Sequence, residues 1–327
     1  MAELRWNPIM KDWIMVASNR QSRPQMPKDW CPFCPGSGKV PDSYDVYRYP
    51  NDFPALSSNP PEPDSVNSSE LFKVAPSYGR CDVLLYSPDH HGTVANLSDE
   101  HIHKLAHMWL DVFRDMKADK KIKYAYIFEN RGAEVGVTMP HPHGQAYGYP
   151  YIPKVIEQES LSAKEYMSEK GSCLFCDLLK AEISDKRRMI FENKHFAVFI
   201  PFYSNWTYGC HLYARRHVGT LDEMTNGELA SLGEAVRAVS GMYDSLFGKL
   251  FPYMMCMHNA PINTDDPELE KAFHFHIEFM PPMRSENVQQ FRASSESGAG
   301  AWCNPNCPED KAIELRAAYK KYTDSRK

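Results

Sequence analysis

FHFHIEF, residues 273–279, alternates Phe273, Phe275, Ile277 and Phe279 with His274, His276 and Glu278. A period of two places successive side chains on opposite faces of a strand, so the stretch predicts one apolar edge and one edge of three polar groups. The only comparable pattern lies 133 residues earlier, in HPHGQ (141–145), where His141, His143 and Gln145 alternate with Pro142 and Gly144. A single histidine is ordinarily a satisfied core or surface residue. Three aligned polar groups, repeated once, are hard to account for by packing.

Working outward from the two motifs, each is preceded by the same succession of signals. The first half runs CPFC (31–34), a histidine closing YSPDH at His90, then HPHGQ. The second runs CLFC (173–176), a histidine closing YARRH at His217, then HFHIE. The intervals are 56 and 51 residues in the first half and 41 and 57 in the second, unequal but in the same order. Element signals follow suit. DVLLYS (82–87) and CHLYA (210–214) read as strands leading into the lone histidines. A helix follows each. One starts near Ser98, with Ile102, Leu105, Trp109, Val112 and Met116 at helical spacing; the other opens on a Thr225-x-x-Glu228 capping box. KYAYIFEN (123–130) and YMMCMH (253–258) then read as strands before each H-x-H. The expected fold is α+β, two related halves from an internal duplication, with antiparallel sheets flanked by helices. The halves are placed at 1–160 and 161–327, with the segment around 150–170 as their connection.

Composition bounds the function. The 327 residues are 43% hydrophobic and 24% charged, ordinary for a globular protein with a sizeable core. A net charge of −5 leaves no basic footprint for nucleic acid, and no segment approaches a membrane span. With no signal-like stretch at the N-terminus, a cytoplasmic location is expected. In that setting the pairs Cys31/Cys34 and Cys173/Cys176 point to metal or redox chemistry rather than a disulfide framework. The first pair, in DWCPFCPGSG, reads as a tight metal-binding knuckle. Cys303 and Cys307 carry no such reading.

Cys31, Cys34, His90 and His141 compose the closed Cys2His2 set expected of structural zinc. His143 is then left over, two residues from a fixed metal. A neutral imidazole there suits attack on a phosphate ester, provided a hydrogen bond at its other nitrogen fixes the tautomer. Gln145 can donate to phosphate oxygens without exchanging a proton.

The stretches RWNPIMKDWIMVASNRQSRP, CPFCPG, PNDFPAL, LLYSPDH, FENRGAEVGVTMPHPHGQ, IPFYSNWTYGCHLYARRH, YDSLFGKLFPYMMCMHNAP and HFHIEFMPPMRS together resemble the galactose-1-phosphate uridylyltransferase family of the histidine-triad superfamily. The resemblance implies a ping-pong reaction. A histidine matching His143 takes the uridylyl group from UDP-glucose, and a hexose 1-phosphate then accepts it. It implies phosphate contacts at Gln145, Arg20 and Arg23, nucleotide contacts at Asn51, Asp52, Phe53 and Asn130, and a hydroxyl at Thr138 where the family carries serine. Of the family's hexose contacts only Glu296 survives; Gln290, Ser295 and Trp302 replace the others. SESGAGAWCNPNCPED is similar to the ADP-glucose phosphorylase group, which supplies the alternative activity. For a second metal the resemblance offers zinc on Cys173, Cys176, His217 and His274, or iron or zinc on Glu159, His258, His274 and His276. It also implies a homodimer.

Overall fold

The computed structural model describes residues 2–18, 30–64 and 68–327. In chain order the strands of its two larger sheets are β1 (Ala2–Asn7), β2 (Asp12–Ala17), β3 (Tyr47–Pro50), β4 (Val74–Pro76), β5 (Arg80–Leu85), β6 (Tyr124–Arg131), β7 (His143–Tyr149), β8 (Met189–Glu192), β9 (Phe196–Phe199), β10 (Cys210–Ala214), β11 (Tyr253–His258) and β12 (His276–Met280). The helices are α1 (Asp99–Ala118), α2 (Lys154–Lys170), α3 (Leu174–Asp185), α4 (Asn226–Phe247), α5 (Pro267–Ala272), α6 (Ser294–Ala299) and α7 (Pro308–Ser325).

Nine strands form one antiparallel sheet in the order β3-β5-β7-β6-β11-β12-β10-β9-β8. Read outward from the β6–β11 seam, the first three strands of the two arms correspond. β6, β7 and β5 are met in the order strand, H-x-H strand, lone-histidine strand, and so are β11, β12 and β10. The duplication is thus written into the sheet as a pseudo-twofold. The halves share this single sheet, and the seam is a regular ladder, Tyr253 opposite Arg131 and Met257 opposite Ile127. Joining there covers two strand edges that would otherwise be open to pairing with other chains.

The same alternation that sorts each strand sorts the layers. Leu84, Ile127, Ala146, Leu212, Met257 and Ile277 face a helical layer built on α1 and α4, where Leu105, Trp109, Phe113, Leu232, Val236 and Val239 are buried. α7 packs against α4 through Leu315 and Ala318. Both helices start where expected: Ser98 accepts from His101 N, and Thr225 with Glu228 forms the complete capping box. The opposite face carries α2 and α3, whose Ile156, Ala163, Phe175 and Leu179 cover Tyr213 and Phe273. It also carries a small sheet of order β2-β1-β4. The connection around 150–170 is largely the helix α2. Among the described residues no helix is long and apolar enough to cross a membrane.

One expectation needs correcting. His141 and His274 do not lie in their strands; β7 begins at His143 and β12 at His276. The alternation nevertheless runs on through the residues just ahead, because Tyr86 N donates to Pro142 O at 3.0 Å and Phe275 N to Val218 O at 2.7 Å.

Candidate active site and metal centres

The first pair of cysteines lies in a turn, Cys34 N donating to Cys31 O at 3.3 Å. The turn sits over the mouth of β5 and β7, so its thiols meet His90 and His141 in a group whose ligand atoms lie within 4.8 Å of one another. The sulfur–nitrogen separations are Cys31 Sγ to His141 Nδ1 3.7 Å, Cys34 Sγ to His141 Nδ1 3.7 Å and Cys34 Sγ to His90 Nδ1 3.5 Å. A tetrahedral zinc with Zn–S of ~2.3 Å and Zn–N of ~2.0 Å spans such ligands at about 3.5 Å. The donor set and its spacing therefore fit the ion. His141 Nε2–H donates to Ser87 O at 2.7 Å, which turns Nδ1 toward the thiols, the outer hydrogen bond usual for a ligating histidine. Burial pushes its pKa down to about 4, so the ring is neutral at pH 7 and able to ligate.

The second half repeats the arrangement with different local structure. Cys173 is the N-cap of α3 and Cys176 lies in its first turn, so here the helix, following α2 rather than a strand, presents both thiols. Cys176 Sγ lies 3.4 Å from His274 Nδ1 and 3.7 Å from His217 Nδ1. The far nitrogens donate to Ala214 O and Lys271 O, at 2.9 and 3.1 Å.

A third group brings together Glu159, His258, His276 and Glu278. His258 Nδ1 is 3.0 Å from Glu159 Oε2, and His276 Nε2 is 3.9 Å from Glu159 and 4.0 Å from Glu278. The resemblance offered two alternative sets that shared His274. In the structure both groups exist side by side: His274 stands with the cysteines, and Glu278 fills its place beside the carboxylate of α2. Sequence reasoning also missed His211, whose Nε2 lies 3.3 Å from Glu278. Its signal was available, since β10 sets His211 directly opposite Glu278, but only pairing register reveals it.

His143 opens β7, and its Nδ1 lies 2.7 Å from the carbonyl oxygen of His141. A carbonyl only accepts, so Nδ1 carries the proton and Nε2 the lone pair. Gly144 lies between two functional side chains because Tyr86 packs behind the strand: a Cβ there would stand 2.1 Å from the Tyr86 hydroxyl. His143, Gln145, Asn130 and Thr138 line one cavity of about 190 Å3. A larger one, about 290 Å3, also includes His143, Asn130 and Thr138. These are the sequence-named residues that the fold brings together.

Asn51, Asp52 and Phe53 follow β3 and line neither cavity. Asn51 Oδ1 accepts from Phe53 N at 2.9 Å and Asp52 from the Tyr49 hydroxyl at 2.8 Å, so the segment is held by its own bonds. Glu296 accepts from Ala293 N at 3.0 Å, capping α6, and Gln290 bonds Thr207 and Asn205. Neither lines these cavities. Arg20 and Arg23 lie outside the described residues.

Comparison with known proteins agrees with this geometry. Residues 1–153 match the family described as galactose-1-phosphate uridyl transferase, N-terminal domain, and residues 159–316 match its C-terminal domain. A galactose-1-phosphate uridylyltransferase of Thermotoga maritima is 39% identical over 317 residues, 97% of this chain and 98% of that protein. A solved structure of a uridylyltransferase superposes with a TM-score of 0.89 at 31% identity, covering 98% of this chain and 99% of the other. An ADP-glucose phosphorylase from Arabidopsis thaliana, at 21% identity and a TM-score of 0.74 over 97% and 99%, shares the fold.

Proposed function

The chain belongs to the galactose-1-phosphate uridylyltransferase family, and on that premise we propose that it works by a ping-pong mechanism through a covalent uridylyl adduct on His143. It is a UDP-glucose–hexose-1-phosphate uridylyltransferase, a transferase of galactose metabolism. The observation that carries the mechanism is the 2.7 Å bond from His143 Nδ1–H to the His141 carbonyl. Nε2 attacks the α-phosphorus of UDP-glucose, and the bond from that phosphorus to the bridging oxygen breaks. Glucose 1-phosphate leaves with the electron pair. The uridylylated ring is cationic, and its Nδ1–H then makes a charge-assisted bond to the same carbonyl, stronger than in the free enzyme. An oxygen of galactose 1-phosphate next attacks phosphorus, the P–N bond breaks, and UDP-galactose departs from a neutral imidazole.

Gln145, Asn130 and Thr138 would hold phosphoryl oxygens, with Arg20 and Arg23 supplying positive charge and Asn51, Asp52 and Phe53 the nucleoside end. Gln145 has no proton to exchange, so water is not activated against the adduct. Zinc held by Cys31, Cys34, His90 and His141 would contribute folding energy and fix the His141 carbonyl that orients the nucleophile. A second zinc on Cys173, Cys176, His217 and His274 would do the same for the other half, and the group of Glu159, His258, His276 and Glu278 suits a harder cation such as iron. We carry the division at 1–160 and 161–327 into this reading, with a cytoplasmic homodimer as the working form.

The test is incubation with UDP-glucose alone. One uridylyl mass should appear on the peptide bearing HPHGQ, acid-labile and base-stable, and glucose 1-phosphate should discharge it quickly while water does so slowly. Attachment only when both substrates are present would make single displacement the better account. An adduct from ADP-glucose but not UDP-glucose would move the chain to the phosphorylase activity. Elemental analysis of gently purified protein should find about two zinc ions per chain.

A further inference from the structure

In the second half two groups of metal-binding side chains meet at one motif. His274 belongs to the set with Cys173, Cys176 and His217, and His276, two residues on, to the set with Glu159, His258 and Glu278. Ligands about 2.1 Å from a common ion stand roughly 3 to 4.2 Å apart. In the second set His258 Nδ1 is 3.0 Å from Glu159, and His276 Nε2 is 3.9 Å from Glu159 and 4.0 Å from Glu278. His258 and His276 are buried and directly opposite each other across the β11–β12 ladder. Two carboxylates converging on them would repel each other without a cation between. The spacing and the mixed oxygen and nitrogen donors fit a divalent ion of the manganese or iron class.

Two contacts tie this set to its neighbour. The first runs through the backbone. His274 Nδ1 faces Cys176 Sγ while its Nε2–H donates to Ala214 O, so ligation would hold that ring at both nitrogens. The His274 carbonyl accepts from His276 Nδ1–H at 2.9 Å, which leaves the Nε2 lone pair of His276 for the cation. The second contact comes from CLFC itself. Phe175 stands between the two cysteines, and its ring centroid lies 5.1 Å from that of His276 and 6.2 Å from that of His274. An ion joining Cys173 and Cys176 to His274 would fix the first turn of α3, and with it the aromatic wall against His276. Glu159 arrives on α2 and His258 on β11, so the dependence of one set on the other runs through His276.

We propose that zinc on Cys173, Cys176, His217 and His274 organises the neighbouring cation site, so that the two metals of this half bind with positive cooperativity. The proposal rests on the metal assignments made above. Outer partners of a ligating histidine are worth about tenfold to a hundredfold in metal affinity, and the His274 carbonyl and the Phe175 ring are those partners for His276. Linkage makes the effect mutual: the factor that zinc adds to cation affinity is the factor that the cation adds to zinc affinity.

The experiment titrates Mn2+ into zinc-loaded wild type and variants, following the loss of the free-ion electron paramagnetic resonance signal. Wild type should show a tight site that Glu159→Gln abolishes or weakens severely. Cys176→Ser should bind Mn2+ about tenfold to a hundredfold more weakly. Phe175→Leu, which keeps all four zinc ligands, should weaken it by a smaller factor. Equal Mn2+ affinity in wild type and folded Cys176→Ser would overturn the coupling and leave the cation site standing. No Mn2+ binding in wild type, or binding that Glu159→Gln leaves unchanged, would remove the cation-site reading and the coupling with it. Should Cys176→Ser fail to fold, wild type carries the test through the mutual effect. The concentration of a zinc-selective chelator needed to free Cys173 and Cys176 for alkylation, read peptide by peptide, should rise by a similar factor in saturating Mn2+. That needed for Cys31 and Cys34 should not move. An unchanged requirement at Cys173 and Cys176 would overturn the proposal.

Discussion

The two histidine pairs are built alike and surrounded differently. His143 opens β7 and places Nδ1 2.7 Å from the carbonyl of His141; His276 opens β12 and places Nδ1 2.9 Å from the carbonyl of His274. Each stands two residues beyond a member of a Cys2His2 group. The backbone device that fixes a nucleophilic tautomer is therefore present twice. What differs is the neighbourhood of Nε2. In the first half the strand continues to the neutral Gln145, with Val83 opposite it. In the second it continues to Glu278, with His211 opposite, and Glu159 closes in from α2. Two carboxylates exclude an anionic phosphate and favour a cation. On the proposed mechanism, one scaffold would give a phosphoryl-transfer site and a cation site through a few side-chain changes, so that duplication of the fold need not duplicate the reaction.

The most forceful way to break this comparison is to delete each histidine. His143→Ala should lower transfer by about 10^4-fold or more, as expected for loss of a covalent nucleophile, with zinc content and melting temperature kept because the proposed ligand is His141. His276→Ala should still form the adduct with UDP-glucose. A His143→Ala enzyme with appreciable turnover, or a His276→Ala enzyme that cannot be uridylylated while folded, would show that the halves had been assigned the wrong way round.

A smaller change asks whether charge alone separates them. Gln145→Glu gives the first half the carboxylate of the second. Repulsion of the phosphoryl oxygens should slow adduct formation by about 10^2-fold, roughly 3 kcal/mol, and raising ionic strength should recover little of it in an enclosed site. Stability should hardly move. Rapid-quench measurement of adduct formation at two salt concentrations decides it; an unchanged rate would mean that the neutrality of Gln145 is not what distinguishes the halves.

The smallest effect concerns the paired helices. α4 carries a reciprocal capping box, Thr225 accepting from Glu228 N and Glu228 accepting from Thr225 N at 2.8 Å, whereas Ser98 of α1 makes a single bond to His101 N. Thr225→Ala should therefore cost about 1–2 kcal/mol and Ser98→Ala about 1 kcal/mol or less. Denaturant titration of both variants with metal kept saturating would expose a reversed order.

The sequence by itself determined whatever is local or repeated. The strand alternation, both helix starts, the C-x-x-C pairs and the order of signals in each half follow from spacing along one segment, and those segments fold as their spacing requires. The two thiol–histidine groups were legible for the same reason, since a soft, closed donor set leaves few alternatives. Tertiary structure alone decided that Glu278, and not His274, completes the group of Glu159, His258 and His276. It decided that α2 brings Glu159 to His258 across 99 residues, and that His211 stands opposite Glu278. It also decided that Glu129, adjacent to the legible Asn130, turns to the other face and ends in the core with one oxygen unanswered. Such facts depend on strand register and on what is packed above a face, and no spacing within a single segment encodes either.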